Sequence, residues 1–350
     1  MDISGQLKNN QIHIRKSHDI GRLYTKSHIG TLVGPNLLQL NLLEGIFLLD
    51  ERKIIIFQGK KQVHFSDLLK LAVQEISEFE TKYLVFKDLR TRGHAITLLD
   101  DTSFVAFQKY KAKNTAVPSC VIAAFSERDL LDIDIIQELI EKYTTMDNVL
   151  WFALVDEEGD ITYYSVSPVD LKGRIPEHHY PLGSCVLLKN RLIVFDKKVG
   201  ELLLKTEFYG KPFGELLQLS FVEGLYLLEN NVLEIFTTDG KKLSKAQCIH
   251  LMQKHQPDIV ERLLVFKNLK QRGLLVKTGF KFGSHFRAYT KQPDKTHAEY
   301  LVHVVEKGFT SIWAEISRAI RLAHSVNKEF IFACVDGSSI EYIKLGRLRP

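Results

Sequence analysis

Three residues in the last quarter of the chain have side chains that could carry out acid–base chemistry together: Tyr289, His297 and Lys328. An ionised phenol can accept a proton, an imidazolium can donate one, and an ammonium can stabilise developing negative charge. Cleavage of a phosphodiester without a metal ion requires these three kinds of group. Tyr289 closes the strand-like run FRAY, His297 opens HAEYLVHVV, and Lys328 begins KEFIFACVD after an amphipathic helix.

Taken singly, each of these residues also fits an ordinary structural role. A tyrosine at a strand end usually has a rim position with its hydroxyl in water. A histidine or lysine that precedes a strand usually belongs to a solvated loop. The case for chemistry therefore depends on the elements that would position the three side chains.

An internal repeat organises those elements. LVFKDLRTRG at 84–93 matches LVFKNLKQRG at 264–273, and LLQLNLLEG, from Leu37, matches LLQLSFVEG, from Leu216. Downstream, NVLWFALVD matches KEFIFACVD. Matching blocks in the same order, about 180 residues apart, indicate a tandem duplication.

Each copy has the same predicted plan. Runs such as QIHIRK and RLIVFDKKVGELLLK predict strands and hairpins, and LLQLNLLEGIFLLD predicts a helix. A further helical stretch stops at Gly93, which is a suitable C-cap. The later half of each copy alternates strands with one amphipathic helix, IIQELIEKYTT or SIWAEISRAIRLAHSV. Pro168, Pro176 and Pro181 mark a linker between the copies.

The two copies differ at the candidate catalytic positions. Phe107 matches Tyr289, and Asn148 matches Lys328. The first copy reads AVPSCVIAAF, without a histidine, where the second reads HAEYLVHVV and begins with His297. The scaffold thus occurs twice and the three reactive side chains once, which favours one working copy and one that keeps only the shape.

The composition is that of a soluble globular protein: 350 residues, 45% hydrophobic and 25% charged. Four cysteines without a CxxC pair predict buried thiols rather than a disulfide framework or a zinc site. The N-terminus lacks the apolar core of a signal peptide, and no apolar run approaches the ~20 residues of a membrane span, so we expect an intracellular protein. A net charge of +5 is compatible with a polyanionic partner.

The segments GLLVKTGFKFGSHFRAY, HAEYLVHVV and RLAHSVNKEFIFACVD resemble the catalytic domain of archaeal tRNA-splicing endonucleases. The resemblance covers the whole chain, since one branch of that family has two fused units per chain and works as a homodimer. It implies that Tyr289 is the general base, His297 the general acid and Lys328 the transition-state stabiliser, with no cofactor and no metal. Asn327 departs from the arginine common in the family, and the loop TKQPDKT is short.

The resemblance implies a mixed α/β (α+β) fold class, built as a tandem duplication of a two-subdomain unit. Each unit has an N-terminal α+β subdomain and a C-terminal nuclease-like mixed-sheet subdomain. The predicted boundaries are 1–82 and 83–168 for the first copy, 169–182 for the linker, and 183–262 and 263–350 for the second copy.

The implied function is cleavage of precursor tRNA at bulge–helix–bulge exon–intron junctions in the cytoplasm. Attack by the 2′-OH would leave 2′,3′-cyclic phosphate and 5′-hydroxyl ends. Arg321 and Arg347 are the implied pair that sandwiches a bulge base by cation–π stacking. Glu157, Glu158 and Asp160 of VDEEGDITYY are implied to dock into a basic groove of the other subunit.

Two other functions remain open from the residues. A non-catalytic RNA-binding subunit would keep the scaffold but lack the three reactive residues, as the first copy does. A metal-dependent DNA nuclease would need clustered carboxylates, and the sequence beside Lys328 has no such cluster.

Overall fold

The computed structural model describes residues 3–100, 103–107, 118–144, 149–176, 178–292 and 297–350. Asn148 and residues 293–296 of the TKQPDKT loop lie outside these described residues. Within the described ranges, no helix is both long enough and apolar enough to cross a membrane.

The first copy contains twelve strands, five α-helices and one π-helix (Gly21–Lys26) among its described residues. Its N-terminal part consists of β1 (Ile3–Lys8), β2 (Gln11–Ile14), α1 (Ser17–Ile20), β3 (Thr31–Leu32), β4 (Leu38–Leu40), α2 (Leu42–Asp50), β5 (Ile54–Gln58), β6 (Lys61–Val63) and α3 (Phe65–Glu75). Its C-terminal part consists of α4 (Phe79–Thr91), β7 (Ala95–Leu98), β8 (Ser103–Phe107), β9 (Pro118–Ser126), β10 (Leu130–Asp132), α5 (Ile133–Tyr143), β11 (Val149–Val155) and β12 (Ile161–Pro168).

The second copy repeats this order with small differences. Its N-terminal part consists of β13 (Gly183–Leu187), β14 (Leu192–Val194), α6 (Lys197–Glu207), β15 (Lys211–Phe213), β16 (Leu216–Leu219), α7 (Phe221–Glu229), β17 (Leu233–Phe236) and α8 (Lys245–Gln253). Its C-terminal part consists of α9 (Ile259–Gln271), β18 (Leu275–Thr278), β19 (Phe286–Tyr289), β20 (Tyr300–Glu306), β21 (Thr310–Ile312), α10 (Trp313–Ser325), β22 (Glu329–Asp336) and β23 (Ser339–Leu348).

Each N-terminal part has its own mixed sheet. The first has the strand order β3-β4-β2-β1-β5-β6, and the second has the order β15-β16-β14-β13-β17. In both sheets the first strand of the copy pairs antiparallel with the next strand and parallel with the strand that follows the helix α2 or α7. The duplication and the mixed fold class are therefore confirmed.

The two C-terminal parts share one ten-stranded sheet with the order β18-β19-β20-β22-β23-β12-β11-β9-β8-β7. The copies meet where β12 pairs antiparallel with β23. A second, two-stranded sheet of β10 and β21 also links them. Helices α5 and α10 pack on one face of the large sheet, where their apolar residues join those of β11, β22 and β23 in a common core.

The LLQL segments form strands, so the prediction of one continuous helix over LLQLNLLEGIFLLD is wrong in its first part. The helix begins only after Asn41, whose side chain accepts a hydrogen bond from the Glu44 amide while the Glu44 carboxylate accepts one from the Asn41 amide. Ser220 and Glu223 form the same capping box before α7. The alternation of leucine with glutamine suits a strand up to that cap.

RLIVFDKKVGELLLK also contains more helix than expected. Only Leu192–Val194 form a strand, and the Asp196 side chain accepts a hydrogen bond from the Val199 amide at the start of α6. Aspartate is a favourable N-cap residue, so a helix starts at this point although β-branched residues precede it. The four cysteines are buried and free, as predicted.

The turn at Gly93 follows the prediction, because the residue adopts φ 87° just after α4 ends. Helices α4 and α9 run across 82–83 and 262–263, where boundaries between the parts were predicted. Residues 169–182 contain no strand or helix among those described, but their backbone is hydrogen-bonded to the second copy. Gly173 and Ile175 donate backbone hydrogen bonds to Arg272 and Gly273.

Candidate active site

The strand register brings Tyr289 and Lys328 to the same end of neighbouring strands in the large sheet, and His297 lies three residues before the first residue of β20. Ala288 of β19, Tyr300 of β20 and Glu329 of β22 lie in one row across three neighbouring strands. Tyr289 follows this row in an antiparallel strand, and Lys328 precedes it in a strand parallel to β20. Neighbouring strands lie about 4.8 Å apart, so the Tyr289 and Lys328 backbones are about 10 Å apart.

Tyr289 is almost fully buried, with 7% of its surface exposed, and its ring has a cation beside it. The guanidinium carbon of Arg287 lies 5.8 Å from the ring centroid. Residues two apart in a strand share a face of the sheet, which explains why these two side chains meet. The Arg287 Nε is buried and has no hydrogen-bond partner among the described residues.

The backbone that follows Tyr289 is held from two sides. The Glu299 carboxylate accepts hydrogen bonds from the Thr290 amide at 2.9 Å and from the Thr290 hydroxyl at 2.8 Å. The Arg174 amide of the segment between the copies donates to the Thr290 carbonyl at 3.0 Å. Both contacts stabilise the strand end that presents Tyr289, and Glu299 also lies two residues after His297.

Lys328 follows a sharp turn between α10 and β22. Asn327 adopts φ 52°, a left-handed conformation that asparagine tolerates better than most residues. The Lys328 ammonium donates to the Val326 carbonyl at 3.3 Å and lies 5.8 Å from the centroid of the Phe282 ring. Phe282 belongs to a short 3₁₀ turn, Phe280–Phe282, so this turn forms one wall beside the lysine.

His297 is exposed and directly precedes the buried Ala298, which packs with Tyr289 in a small apolar cluster. The His297 backbone therefore lies close to the strand end that carries Tyr289. Its exposure leaves the imidazole accessible to a bound substrate.

Arg321 and Arg347 converge near the junction of the two copies. Arg347 of β23 pairs with Tyr164 of β12, and the Tyr164 hydroxyl lies 2.6 Å from the hydroxyl of Ser317, one helical turn before Arg321. Burial raises the pKa of Tyr164, while the hydrogen bond to Ser317 and the charges of both arginines act in the opposite direction.

Arg347 also lies in line with the catalytic candidates. Phe330 of β22 pairs with Leu345 of β23. Two residues further along this antiparallel register, Lys328 comes opposite Arg347. The cationic side chains therefore continue across the sheet from the second copy toward the first.

The first copy has the same strands without the reactive groups. Phe107 ends β8 and pairs with Ala95 of β7, as Tyr289 pairs with Leu275. Val105 stands where Arg287 stands in the second copy. The two strand pairs match in register, so the difference between the copies lies in the side chains.

Arg287 and Glu299 are site residues that the sequence analysis missed. A comparison of the copies contains the signal for both, since Val105 and Ser119 occupy the matching positions. Lys277, which pairs with Arg287, has a buried ammonium that donates to the Gly210 carbonyl at 2.7 Å. Burial lowers the pKa of Lys277, and the nearby Glu223 carboxylate opposes that change.

The acidic loop is an exposed turn between β11 and β12. The Asp156 carboxylate accepts hydrogen bonds from the Glu158 amide at 3.0 Å and the Asp160 amide at 2.9 Å, which shape the turn. Glu157 forms an ion pair with Arg128 of the same copy at 2.5 Å. No ion pair of Glu158 or Asp160 occurs among the described residues.

Family models match both copies of both parts. The model described as "tRNA intron endonuclease, catalytic C-terminal domain" matches residues 79–163 and 259–342, and "tRNA intron endonuclease, N-terminal domain" matches 3–69 and 183–249. The fold and site thus define a duplicated intron-endonuclease scaffold. The chain belongs to the tRNA intron endonuclease family.

Individual relatives support this assignment along the full length. The chain is 35% identical to the tRNA-splicing endonuclease of Methanococcoides burtonii over 339 residues, which are 94% of this chain and 95% of that relative. It is 31% identical to the tRNA-splicing endonuclease of Methanosarcina barkeri over 98% of this chain and 99% of the relative. The tRNA-splicing endonuclease of Methanococcus maripaludis is 37% identical over 165 residues, 47% of this chain and 93% of that shorter relative.

Proposed function

We propose that the chain is a metal-independent endoribonuclease that cleaves precursor tRNA at bulge–helix–bulge exon–intron junctions. The observation that supports this most strongly is that Tyr289 and Lys328 lie at neighbouring strand ends of the second copy, with His297 in the segment before β20, while the first copy has Phe107 and Asn148 at the positions of Tyr289 and Lys328. Membership of the tRNA intron endonuclease family supports the substrate class. Because precursor tRNA is the substrate, we expect the protein to act in the cytoplasm.

Each of the three side chains has one role in the proposed reaction. Tyr289 removes the proton of the ribose 2′-OH, whose oxygen attacks the adjacent phosphorus in line. His297, protonated, donates to the departing 5′-oxygen as the P–O bond breaks. Lys328 stabilises the negative charge on the non-bridging phosphate oxygens. The products are a 2′,3′-cyclic phosphate and a 5′-hydroxyl.

The test of this mechanism is an analysis of product ends after chelation. Wild-type protein treated with EDTA is expected to cut an intron-containing precursor and to leave 2′,3′-cyclic phosphate and 5′-hydroxyl ends. Products with 5′-phosphate ends, or activity that returns only when a divalent metal is added, would favour a metal-dependent nuclease. Binding without cleavage would favour a non-catalytic RNA-binding subunit.

Arg321 and Arg347 are the proposed contacts to a bulged base. Single-stranded RNA bases can be splayed out and stacked on guanidinium planes, and such a cation–π contact contributes about 0.5–2 kcal/mol. The supporting observations are that both side chains are exposed, that both carry charge close to Tyr164, and that Arg347 lies opposite Lys328.

We also propose that the active protein is a homodimer in which the acidic loop of one chain docks into a basic groove of the other. Glu158 and Asp160 are the main candidates, because the Glu157 carboxylate already pairs with Arg128 of its own chain. The matching loop of the second copy, VDGSSIEYI, is nearly uncharged. Two chains would supply two active sites for the two junctions of one intron.

Charge reversal tests the docking. We expect Glu158→Lys combined with Asp160→Lys to shift the protein from dimer to monomer in sedimentation equilibrium and to lower cleavage with it. Glu75→Lys, at an exposed residue at the end of α3, is the matched control and should leave the dimer intact. A double variant that sediments as a dimer would rule out this loop as the docking element.

A further inference from the structure

The second copy contains a buried ion pair between its two parts. Lys270, near the end of α9, pairs with Glu207, the last residue of α6, and both side chains are 7% exposed. The Glu207 carboxylate also accepts a hydrogen bond from the Tyr180 hydroxyl at 2.8 Å. The positive charge at the end of α9 is therefore neutralised inside the chain, as burial of a charge requires.

The first copy keeps the cation and lacks the acid. Arg90 matches Lys270 at an offset of 180 residues, and Ser27 matches Glu207 at the same offset. The backbone supports this alignment, because the residues that follow, His28 and Phe208, both adopt a left-handed conformation with φ 54° and 56°. The acidic partner of the buried pair has thus become a serine.

In the described part of the chain, Arg90 donates hydrogen bonds to neutral groups. Its guanidinium donates to the backbone carbonyls of Ser27 at 2.5 Å and His94 at 3.2 Å. Its Nε is buried without a partner among the described residues. Burial lowers the pKa of Arg90, and the negative charge of Glu44 opposes this change.

Arg90 lines an open cavity of about 420 Å³ between the two parts of the first copy. The other basic residues around it are Lys26, His28, Arg92 and His94, and none of the described lining residues is acidic. Arg92 is bound to Asp88 at 2.8 Å, whereas Lys26 is exposed at the entrance and forms no ion pair among the described residues. The cavity therefore has an excess of positive charge.

We propose that this cavity binds a backbone phosphate of the precursor RNA, at a position away from the cleaved bond. A guanidinium with an ammonium nearby suits a phosphate, which can accept several charge-assisted hydrogen bonds. Ala95 lines the cavity and pairs with Phe107, the counterpart of Tyr289, so the cavity adjoins the edge of the first copy that corresponds to the active site. Phosphate contacts of this kind set the register of an RNA on a protein. This inference rests on the proposed RNA substrate.

The substitution Ser27→Glu tests the site by restoring the acid that the second copy has. The new carboxylate would pair with Arg90 and occupy the place of the phosphate, and the substitution removes one exposed hydrogen bond, from the Ser27 hydroxyl to the Arg22 carbonyl at 3.1 Å. Ser66→Glu, at an exposed position on α3 that does not line the cavity, makes the same change of net charge and is the matched control. Binding is measured on full-length precursor tRNA with 2′-deoxy substitutions at both cleavage sites.

We expect Ser27→Glu to raise the dissociation constant about tenfold and to reduce the slope of log K against log salt by about one phosphate contact, while Ser66→Glu stays close to wild type. Arg90→Gln should weaken binding in the same way. An unchanged dissociation constant and salt slope in Ser27→Glu would overturn the proposal, and so would dissociation of a dimer, which would assign the cavity to a protein contact.

The same assays separate a failure of this site from a failure of the proposed function. If the proposed function is wrong, wild-type protein does not cut the unmodified precursor or cuts the 2′-deoxy form. If only the phosphate site is wrong, wild type cuts normally and Ser27→Glu binds RNA as tightly as wild type.

Discussion

The C-terminal parts of the two copies have the same strands in the same register and differ in what those strands present. β19 aligns with β8 at an offset of 182 residues, and β20 aligns with β9 at an offset of 180. Phe107 occupies the position equivalent to Tyr289, and Val105 the position equivalent to Arg287. The apolar positions of the sheet are retained in both copies, because they hold the core. The reactive and cationic positions occur in one copy, so the fold does not need them.

The environments of Lys270 and Arg90 also differ between the copies. The second copy neutralises Lys270 with Glu207, and the first leaves Arg90 beside Ser27. Burial of the Arg90 guanidinium is costly, and the charge of Glu44 opposes that cost only in part. The first copy has lost the groups for cleavage and retained a positive site of its own.

Exchange of one residue between the copies is expected to have the largest effect. Tyr289→Phe reproduces Phe107 and removes the proposed general base without changing the apolar ring. We expect the single-turnover cleavage rate to fall about 10²–10⁴-fold with unchanged RNA affinity. The control is Phe107→Tyr, which should neither create a second activity nor alter the first. Near wild-type cleavage by the Tyr289→Phe protein would show that the Tyr289 hydroxyl is not the general base.

Arg287→Val reproduces Val105 and is expected to have a smaller effect. The guanidinium beside the Tyr289 ring is partly desolvated, so its loss should cost about 1–2 kcal/mol, or roughly 5–30-fold in kcat/KM. Arg287→Lys keeps the charge and should recover part of that loss. The effect should fall on kcat, because Arg287 contacts Tyr289. A change confined to KM would instead make Arg287 a substrate contact.

A stacked histidine pair is expected to affect stability rather than cleavage. His285 and His303 have ring centroids 4.3 Å apart, and the Nδ1 of His285 accepts a hydrogen bond from the Val304 amide at 2.8 Å. Burial lowers the pKa of His285 to about 3 and that of His303 to about 4. The first copy has Ser103 and Ala123 at these positions.

Because both folded pKa values lie below the unfolded value of about 6.5, the unfolded chain binds protons first as the pH falls. The contribution of the neutral histidine pair to the free energy of unfolding should therefore be complete above about pH 6.5. Below that, it should decrease by about 1.4 kcal/mol per pH unit for each histidine, down to about pH 4. Denaturant unfolding at several pH values should show a shallower slope for His285→Ser with His303→Ala. The exposed His255→Ala is the control, and an unchanged slope in the double variant would contradict the assignment.

The sequence predicted the duplication and the mixed fold well, because both depend on matching blocks and on residue patterns. The roles of Tyr289, His297 and Lys328 stay predictions. The sequence predicted the starts of α2 and α6 less well, because the N-caps Asn41 and Asp196 decide where these helices begin. It missed Arg287 and Glu299 because their roles depend on contacts across strands. The Arg90 site was missed for a different reason. Ser27 becomes noticeable only when the structure shows that its counterpart Glu207 pairs with Lys270.

The most direct test of the central claim uses a precursor with a single 2′-deoxy nucleotide at one of its two junctions, incubated with EDTA-treated wild-type protein. If the second copy cleaves RNA through Tyr289, His297 and Lys328, the deoxy junction stays intact and the other junction is cut to a 2′,3′-cyclic phosphate. Cleavage at the deoxy junction would contradict the account, because the attacking oxygen would then come from elsewhere.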